Sequence, residues 1–168
     1  MPRFDDEGRL VSDEYDDVYF AGDGVAETEH VFCAGNELAA RFAAAKRVFV
    51  VAETGFGTGL NFLVVVDWFE RFSPPSARLV FVSVDERVLD SRLLERVHER
   101  LGARFAVRAR ELRSRLAAAD EARDRFEWRD DRFSLCVLRG DALEQLTRND
   151  WRADAWLLDG FAPARNPA

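Results

Sequence analysis

Fifteen residues, Val48 to Phe62 (VFVVAETGFGTGLNF), constrain this chain more than any others: an apolar run ends in an acid and opens at once into three alternating glycines. The run Val48-Phe49-Val50-Val51-Ala52 is apolar on both faces and too short for a buried helix, so it reads as a central strand of a parallel sheet. Gly55, Gly57 and Gly59 supply what a tight strand-to-helix turn requires, namely positive φ and backbone without a Cβ to keep a ligand away. A helix is predicted from Leu60 to about Phe72. A strand, a glycine turn and a helix in that order point to an open α/β sheet with its crevice at the strand ends.

The glycine spacing bears on what that crevice takes. A dinucleotide fingerprint is G-x-G-x-x-G, with the pyrophosphate on the helix N-terminus, whereas here the third glycine comes one place early. Glu53, two residues before the first glycine, would also repel a pyrophosphate. Both features count against a nicotinamide-dependent oxidoreductase. An acid there suits a ligand that carries an ammonium and a sulfonium, of which S-adenosylmethionine is an example. A glycine-rich stretch is also compatible with an ordinary tight turn.

Further acids follow further strands. Ala77 to Val88 (ARLVFVSVDERV) reads as the next buried strand, ending at Asp85, whose carboxylate would take both hydroxyls of a ribose or interact with a helix N-terminus. Asp141 follows the apolar stretch Phe133 to Leu138 and would accept from an adenine amino group or cap the short helix Ala142 to Thr147. A fourth strand, Ala153 to Leu158, leads into Asp159-Gly160-Phe161-Ala162-Pro163. Methylation of an exocyclic amine needs a polar group to orient the nitrogen and a flat apolar surface beside the ring that bears it. Asp159, the Gly160 carbonyl and Phe161 offer those parts, while a proline-stiffened loop with a capping aspartate and a core phenylalanine accounts for the same residues.

These blocks carry a resemblance. DDVYF (Asp16 to Phe20), ETEHVFCAGNEL (Glu27 to Leu38), VAETGFGTGLNFL (Val51 to Leu63), FVSVDERVL (Phe81 to Leu89) and DAWLLDGFAPARNP (Asp154 to Pro167) are similar to the methyltransferase domain of the MnmC family, the bifunctional enzymes of 5-methylaminomethyl-2-thiouridine synthesis in tRNA. The resemblance implies a Rossmann-like class I S-adenosylmethionine-dependent methyltransferase sheet that methylates the aminomethyl nitrogen of the wobble uridine, with the anticodon loop of tRNA as partner. It implies cofactor contacts at Glu53, Gly55, Phe56, Gly57, Gly59, Asn61, Asp85 and Asp141, catalytic roles for Asp159 and Phe161, and substrate contacts at Tyr19 and Gly160. The family usually has Glu where Asp85 stands and Phe where Tyr15 stands. It also carries a separate FAD-dependent oxidoreductase domain that acts on the same uridine. None is found in these 168 residues, so stand-alone methyltransferase members are the nearer comparison and a separate oxidoreductase is an expected partner. The family domain continues past Asn166-Pro167 with three more strands, which makes this chain read as C-terminally truncated and sets a rival reading, an inactive cofactor-binding or interaction half-domain of a longer enzyme.

Organisation follows. Residues 1–47 are expected to form an N-terminal extension, with Tyr15 to Phe20 a short strand, either a cover near the substrate or a simple edge hairpin; residues 48–168 form the N-terminal part of the methyltransferase domain. Ten arginines lie between Arg92 and Arg125, while Leu94, Val97 and Leu101, then Phe105, Leu112, Leu116 and Ala119, keep helical spacing. That predicts two amphipathic helices broken near Gly102, with outer faces that are solvated and partly paired or that hold tRNA phosphates. Phe126 to Arg129 and Arg132 to Leu138 flank Asp130-Asp131 as a hairpin. A net charge of −7 counts against a non-specific nucleic-acid binder, which is normally basic. The acidic start MPRFDDEGRL is no signal sequence, and no apolar run approaches the roughly 20 residues that span a bilayer, so a cytoplasmic location is expected. Cys33 and Cys136 read as buried core thiols, and His30 and His98 are too scattered for a metal site.

Overall fold

In the computed structural model, the structure describes residues 2–12, 17–20, 23–86, 89–120, 123–148 and 152–159, with backbone alone at residues 12 and 17–20. The expected central strand is β4 (Val48–Thr54), numbered after three N-terminal strands, and it passes through the glycine turn into α3 (Leu60–Phe72). Next come β5 (Arg78–Asp85), α4 (Ser91–His98), one 3-10 turn (Glu99–Leu101), α5 (Ala106–Ala117), β6 (Arg125–Arg129), β7 (Phe133–Arg139), α6 (Ala142–Arg148) and β8 (Ala155–Leu158). The five strands form one sheet in the order β6-β7-β5-β4-β8. β7, β5, β4 and β8 run parallel, and β6 is the antiparallel arm of the hairpin with β7.

That order fixes where a ligand crevice lies. From β4 the chain steps outward to β5 and β7, then returns to place β8 on the opposite side of β4. The strand order therefore reverses at the C-terminal ends of β4 and β8, the position at which open α/β sheets hold ligands.

The core is apolar and aromatic. Helix α3 is buried nearly all round through Phe62, Leu63, Val64, Val65, Val66 and Phe69, because the sheet covers one side and the N-terminal helices the other. Phe62 meets Phe81, Phe133 and Trp128 edge to face, with ring centroids 5.4–5.8 Å apart. Phe42 makes the same kind of contact with Phe69 at 5.1 Å and Phe49 at 4.9 Å.

The N-terminal residues hold more structure than the sequence pattern suggests. β1 (Pro2–Phe4), β2 (Leu10–Ser12) and β3 (Asp17–Phe20) form a separate antiparallel sheet, so the expected strand is present but is not an edge hairpin of the main sheet. It is followed by α1 (Gly24–Glu27), a π-helical stretch (Thr28–Ala34) and α2 (Leu38–Ala43). In the π-helical stretch Gly35 donates its N–H to the His30 carbonyl five residues back, at 3.3 Å. A Cβ at Gly35 would stand 2.2 Å from the Val31 carbonyl oxygen, which explains the glycine.

The arginine-rich segment folds as expected into two helices with Gly102 at the break, where φ is +79°. Many of its arginines serve the fold. Arg96 and Arg100 stack on Phe4, Arg104 pairs with Glu29 and Asp67, Arg108 pairs with Glu70, and Arg115 lies over Trp128. These contacts fasten the N-terminal segment and the sheet to the helices. Cys33 is a core thiol whose burial pushes it up to about 12, whereas Cys136 is only half-buried, a correction to its expected place in the core.

Candidate functional site at the strand ends

The glycine turn is built by its backbone. Gly55, Gly57 and Gly59 adopt φ of +88°, +49° and +72°, a region L side chains avoid. At Gly59 a Cβ would also meet Leu112 at 2.9 Å and Phe56 at 3.0 Å. The Gly55 N–H donates to the Val84 carbonyl and the Gly59 N–H to the Phe56 carbonyl, both at 2.8 Å. The Phe56 side chain is buried beneath the turn, so what it presents to the crevice is backbone.

Three of the expected residues come together at the switch point. Glu53 is 1% exposed although it is a carboxylate. Asn61, on the first turn of α3, donates from its amide nitrogen to Glu53 Oε2 at 3.2 Å and to Asp159 Oδ2 at 2.7 Å. The two carboxylates call for the amide nitrogen, and Thr28, at the start of the π-helical stretch, donates its hydroxyl to the remaining Asn61 Oδ1 at 2.9 Å. One side chain thus joins the end of β4 to the residue after β8.

Burial pushes the Glu53 carboxyl well above its usual range, with Asp159 and Asp85 adding to the effect. Its Oε1 is buried without a well-formed hydrogen bond among the described residues, and the Ser83 hydroxyl, which the strand register places opposite it, opposes the rise as Asn61 does. An orphaned acceptor here fits a cationic donor. Asp159 is exposed after the end of β8, with its carboxyl drawn in to Asn61; the partial desolvation of that carboxyl raises its pKa while the Asn61 hydrogen bond opposes the rise. An aspartate at its reference value of about 3.9 is a weak base, and this one is stronger than the sequence alone suggests.

The remaining expected residues spread outward. Asp85 ends β5 and accepts the Gly57 N–H on Oδ2 at 2.8 Å, tying the turn to the neighbouring strand. Asp141 is exposed and caps α6, accepting the Glu144 N–H at 2.8 Å. Tyr19 lies in β3, with only its backbone described. Gly160 and Phe161 fall outside the described residues.

Two residues that matter locally were missed. Thr28 gave no sequence signal. His98 did: with Leu94 and Leu101 it keeps helical spacing, which puts an imidazole on a buried stripe where it must find partners.

Comparison with known proteins adds to this geometry. A family of S-adenosyl-L-methionine-dependent methyltransferases matches residues 104–168. The tRNA 5-methylaminomethyl-2-thiouridine biosynthesis bifunctional protein MnmC of Pseudomonas putida (strain F1) is 43% identical over 167 residues, which make up 98% of this chain and 25% of that protein. The protein of the same description from Pseudomonas fluorescens (strain Pf-5) is 45% identical over the same shares. The chain therefore spans a quarter of the length of these curated relatives. The crystal structure of MnmC2 from Aquifex aeolicus matches with a TM-score of 0.77 over 99% of this chain and 50% of that one; at 22% identity this bears on the fold alone. The sheet order, the glycine turn and the near-complete coverage of the chain agree: over 98% of its length the chain is similar to a quarter of the MnmC proteins, and over residues 104–168 it matches a family of S-adenosyl-L-methionine-dependent methyltransferases.

Proposed function

We propose that this chain holds S-adenosyl-L-methionine at the β4–β8 switch point and methylates the aminomethyl nitrogen of 5-aminomethyl(-2-thio)uridine at the tRNA wobble position. The observation that carries the reading is the Asn61 amide, which binds a buried carboxylate on one side and Asp159 on the other. The cofactor supplies a methyl group on a cationic sulfur.

The chain's own residues do the rest. Glu53, with its unpartnered Oε1, receives an ammonium, whose positive charge favours the ionised carboxylate. Asp85, which accepts the Gly57 N–H at the end of β5, is placed to take ribose hydroxyls, and Asp141 accepts from an adenine amino group. Gly55, Phe56, Gly57 and Gly59 bring backbone close to the ligand. Asp159, aimed by Asn61, orients the substrate amine and stabilises the ammonium that develops, with its raised pKa helping it take a proton. Phe161 and Tyr19 stack on the base, and the Gly160 carbonyl accepts from the amine. A wobble base lies in a single-stranded loop, so exposing it costs less than extracting a paired one.

We further propose that residues 48–168 form the cofactor-binding part, that residues 1–47 cover it, and that the protein acts in the cytoplasm alongside an FAD-dependent oxidoreductase working on the same uridine. Among the described residues no helix is long and apolar enough to cross a membrane. A second reading, a cofactor-binding part of a longer enzyme that is inactive by itself, is favoured by the quarter-length match to the relatives.

Thermal unfolding with and without S-adenosylhomocysteine tests the first step, since a ligand of the native state must raise the melting temperature. Methyl transfer from labelled cofactor to tRNA carrying 5-aminomethyluridine tests the second. Stabilisation with transfer supports the enzyme, stabilisation without transfer supports the cofactor-binding part, and no stabilisation overturns both.

A further inference from the structure

His98 ends α4 and is 3% exposed, and no step proposed above uses it. Its Nε2 lies 2.8 Å from the carbonyl oxygen of Thr58, which stands between Gly57 and Gly59 in the glycine turn. Its Nδ1 lies 3.2 Å from Nη1 of Arg113, on α5. A carbonyl can only accept and a guanidinium can only donate, so the two partners assign the ring: neutral, protonated at Nε2, with Nδ1 accepting. Burial and the Arg113 charge both lower the pKa of the ring, while the Thr58 and Ala109 carbonyls oppose them.

The position of this bond within the turn decides its consequence. The Thr58 carbonyl and the Gly59 N–H belong to one planar peptide unit. The N–H end donates to the Phe56 carbonyl and the carbonyl end accepts from His98, so the unit is held at both ends. Glycine at 57 and 59 leaves the flanking torsions soft, and without a partner on the carbonyl a flip of this unit meets little steric resistance. A flip would withdraw the Gly59 N–H from the Phe56 carbonyl and turn an oxygen toward it, reshaping the turn at the start of α3, where a helix N-terminus favours a ligand carboxylate. We infer that His98, oriented by Arg113, is a positioning residue that locks the Thr58–Gly59 peptide and keeps the glycine turn shaped for the amino-acid end of the cofactor.

The inference rests on the proposed cofactor site, so the experiment reads the lock both with and without ligand. Three variants are compared with the parent: His98→Gln, whose side-chain amide can still donate to Thr58; His98→Leu, which cannot; and Arg113→Met, which removes the orienting donor. Affinity for S-adenosylhomocysteine is measured by calorimetry and amide hydrogen exchange is followed at Gly59, with urea unfolding as the control for global stability. A single lost hydrogen bond, with the carbonyl left unpartnered, corresponds to roughly tenfold weaker binding. His98→Leu is expected to bind about tenfold more weakly and to exchange Gly59 faster, Arg113→Met to fall between, and His98→Gln to stay within about threefold of the parent. Equal affinities and equal Gly59 exchange in the parent and His98→Leu overturn the inference. Equal losses in the Leu and Gln variants overturn it too, because packing rather than the donor would then be responsible. Should the parent itself fail to bind, the cofactor reading fails, and Gly59 exchange in the free protein still decides whether His98 holds the turn.

Discussion

Replacing Glu53 by glutamine should weaken cofactor binding while leaving the fold intact, two effects that ordinary core damage would not separate. The residue is buried, one oxygen accepts from Asn61 at 3.2 Å, and the other has no partner. Glutamine keeps the shape and still accepts from Asn61, and it can offer its amide to the Ser83 hydroxyl opposite. What it loses is a charge-assisted hydrogen bond to an ammonium, about 1.5–3 kcal/mol, or roughly 10- to 150-fold in the dissociation constant of S-adenosylhomocysteine. Stability should move the other way. Because burial raises the folded pKa of Glu53, its contribution is fully present below the unfolded value of about 4.3 and is lost as pH rises through the raised folded value. Glutamine does not titrate, so Glu53→Gln should match the parent in acid and exceed it increasingly as pH rises. Calorimetry gives the affinity, and urea unfolding at several pH values gives the stability. Parental affinity in the variant, or a variant less stable than the parent in alkali, would refute the reasoning.

Other perturbations give equally direct readings. Gly59→Ala forces a Cβ to within 2.9 Å of Leu112 and 3.0 Å of Phe56 at a φ of +72°. It should cost about 2 kcal/mol, seen as a melting temperature lower by roughly 4–8 °C. Thr28→Val removes the hydroxyl that holds Asn61 Oδ1, leaving a buried acceptor unpaired. A loss of about 1–3 kcal/mol in urea unfolding is expected, with weaker S-adenosylhomocysteine binding because the amide is no longer fixed between the two carboxylates. His98, faced by Arg113 from α5 and by the Thr58 and Ala109 carbonyls, has its pKa lowered, so its stabilising contribution is present above the unfolded value of about 6.5 and lost as pH falls through the folded one. The parent should therefore lose urea resistance on going below that value, and His98→Gln should lose less.

How much of this could be read from sequence depended on whether a signal was local. β4, α3 and the β6–β7 hairpin were legible because apolar runs, glycines and Asp130-Asp131 each mark their own element. Gly102 marked the break between the two arginine-rich helices for the same reason. The stretch Thr28–Ala34 was not legible, because its Gly35 N–H reaches back five residues and its apolar positions follow no period of 3.6. Glu53 and Asp159 could be named as acids at strand ends, but the side chain that joins them could not be foreseen. Asn61 lies 98 residues from Asp159, and only the return of β8 to the far side of β4 brings them together. The arginines show the limit of charge counting, since stacking on Phe4 or pairing with Glu29 and Asp67 depends on tertiary neighbours.

The placement of β8 beside β4 also sets a timetable. β5 follows β4 closely in the chain and can pair with one of its edges early, but the other edge waits for residues 155–158, made roughly 100 residues later. At about 5–20 residues per second, ribosomal synthesis leaves that edge open for roughly 5–20 seconds. Throughout this interval a hydrophobic strand with unpaired N–H and C=O groups faces the cellular milieu, and Glu53 has no Asp159 across from it. The nascent chain therefore passes through a stage that is both incompetent for ligand and exposed to mispairing, and β8 ends both conditions in one step.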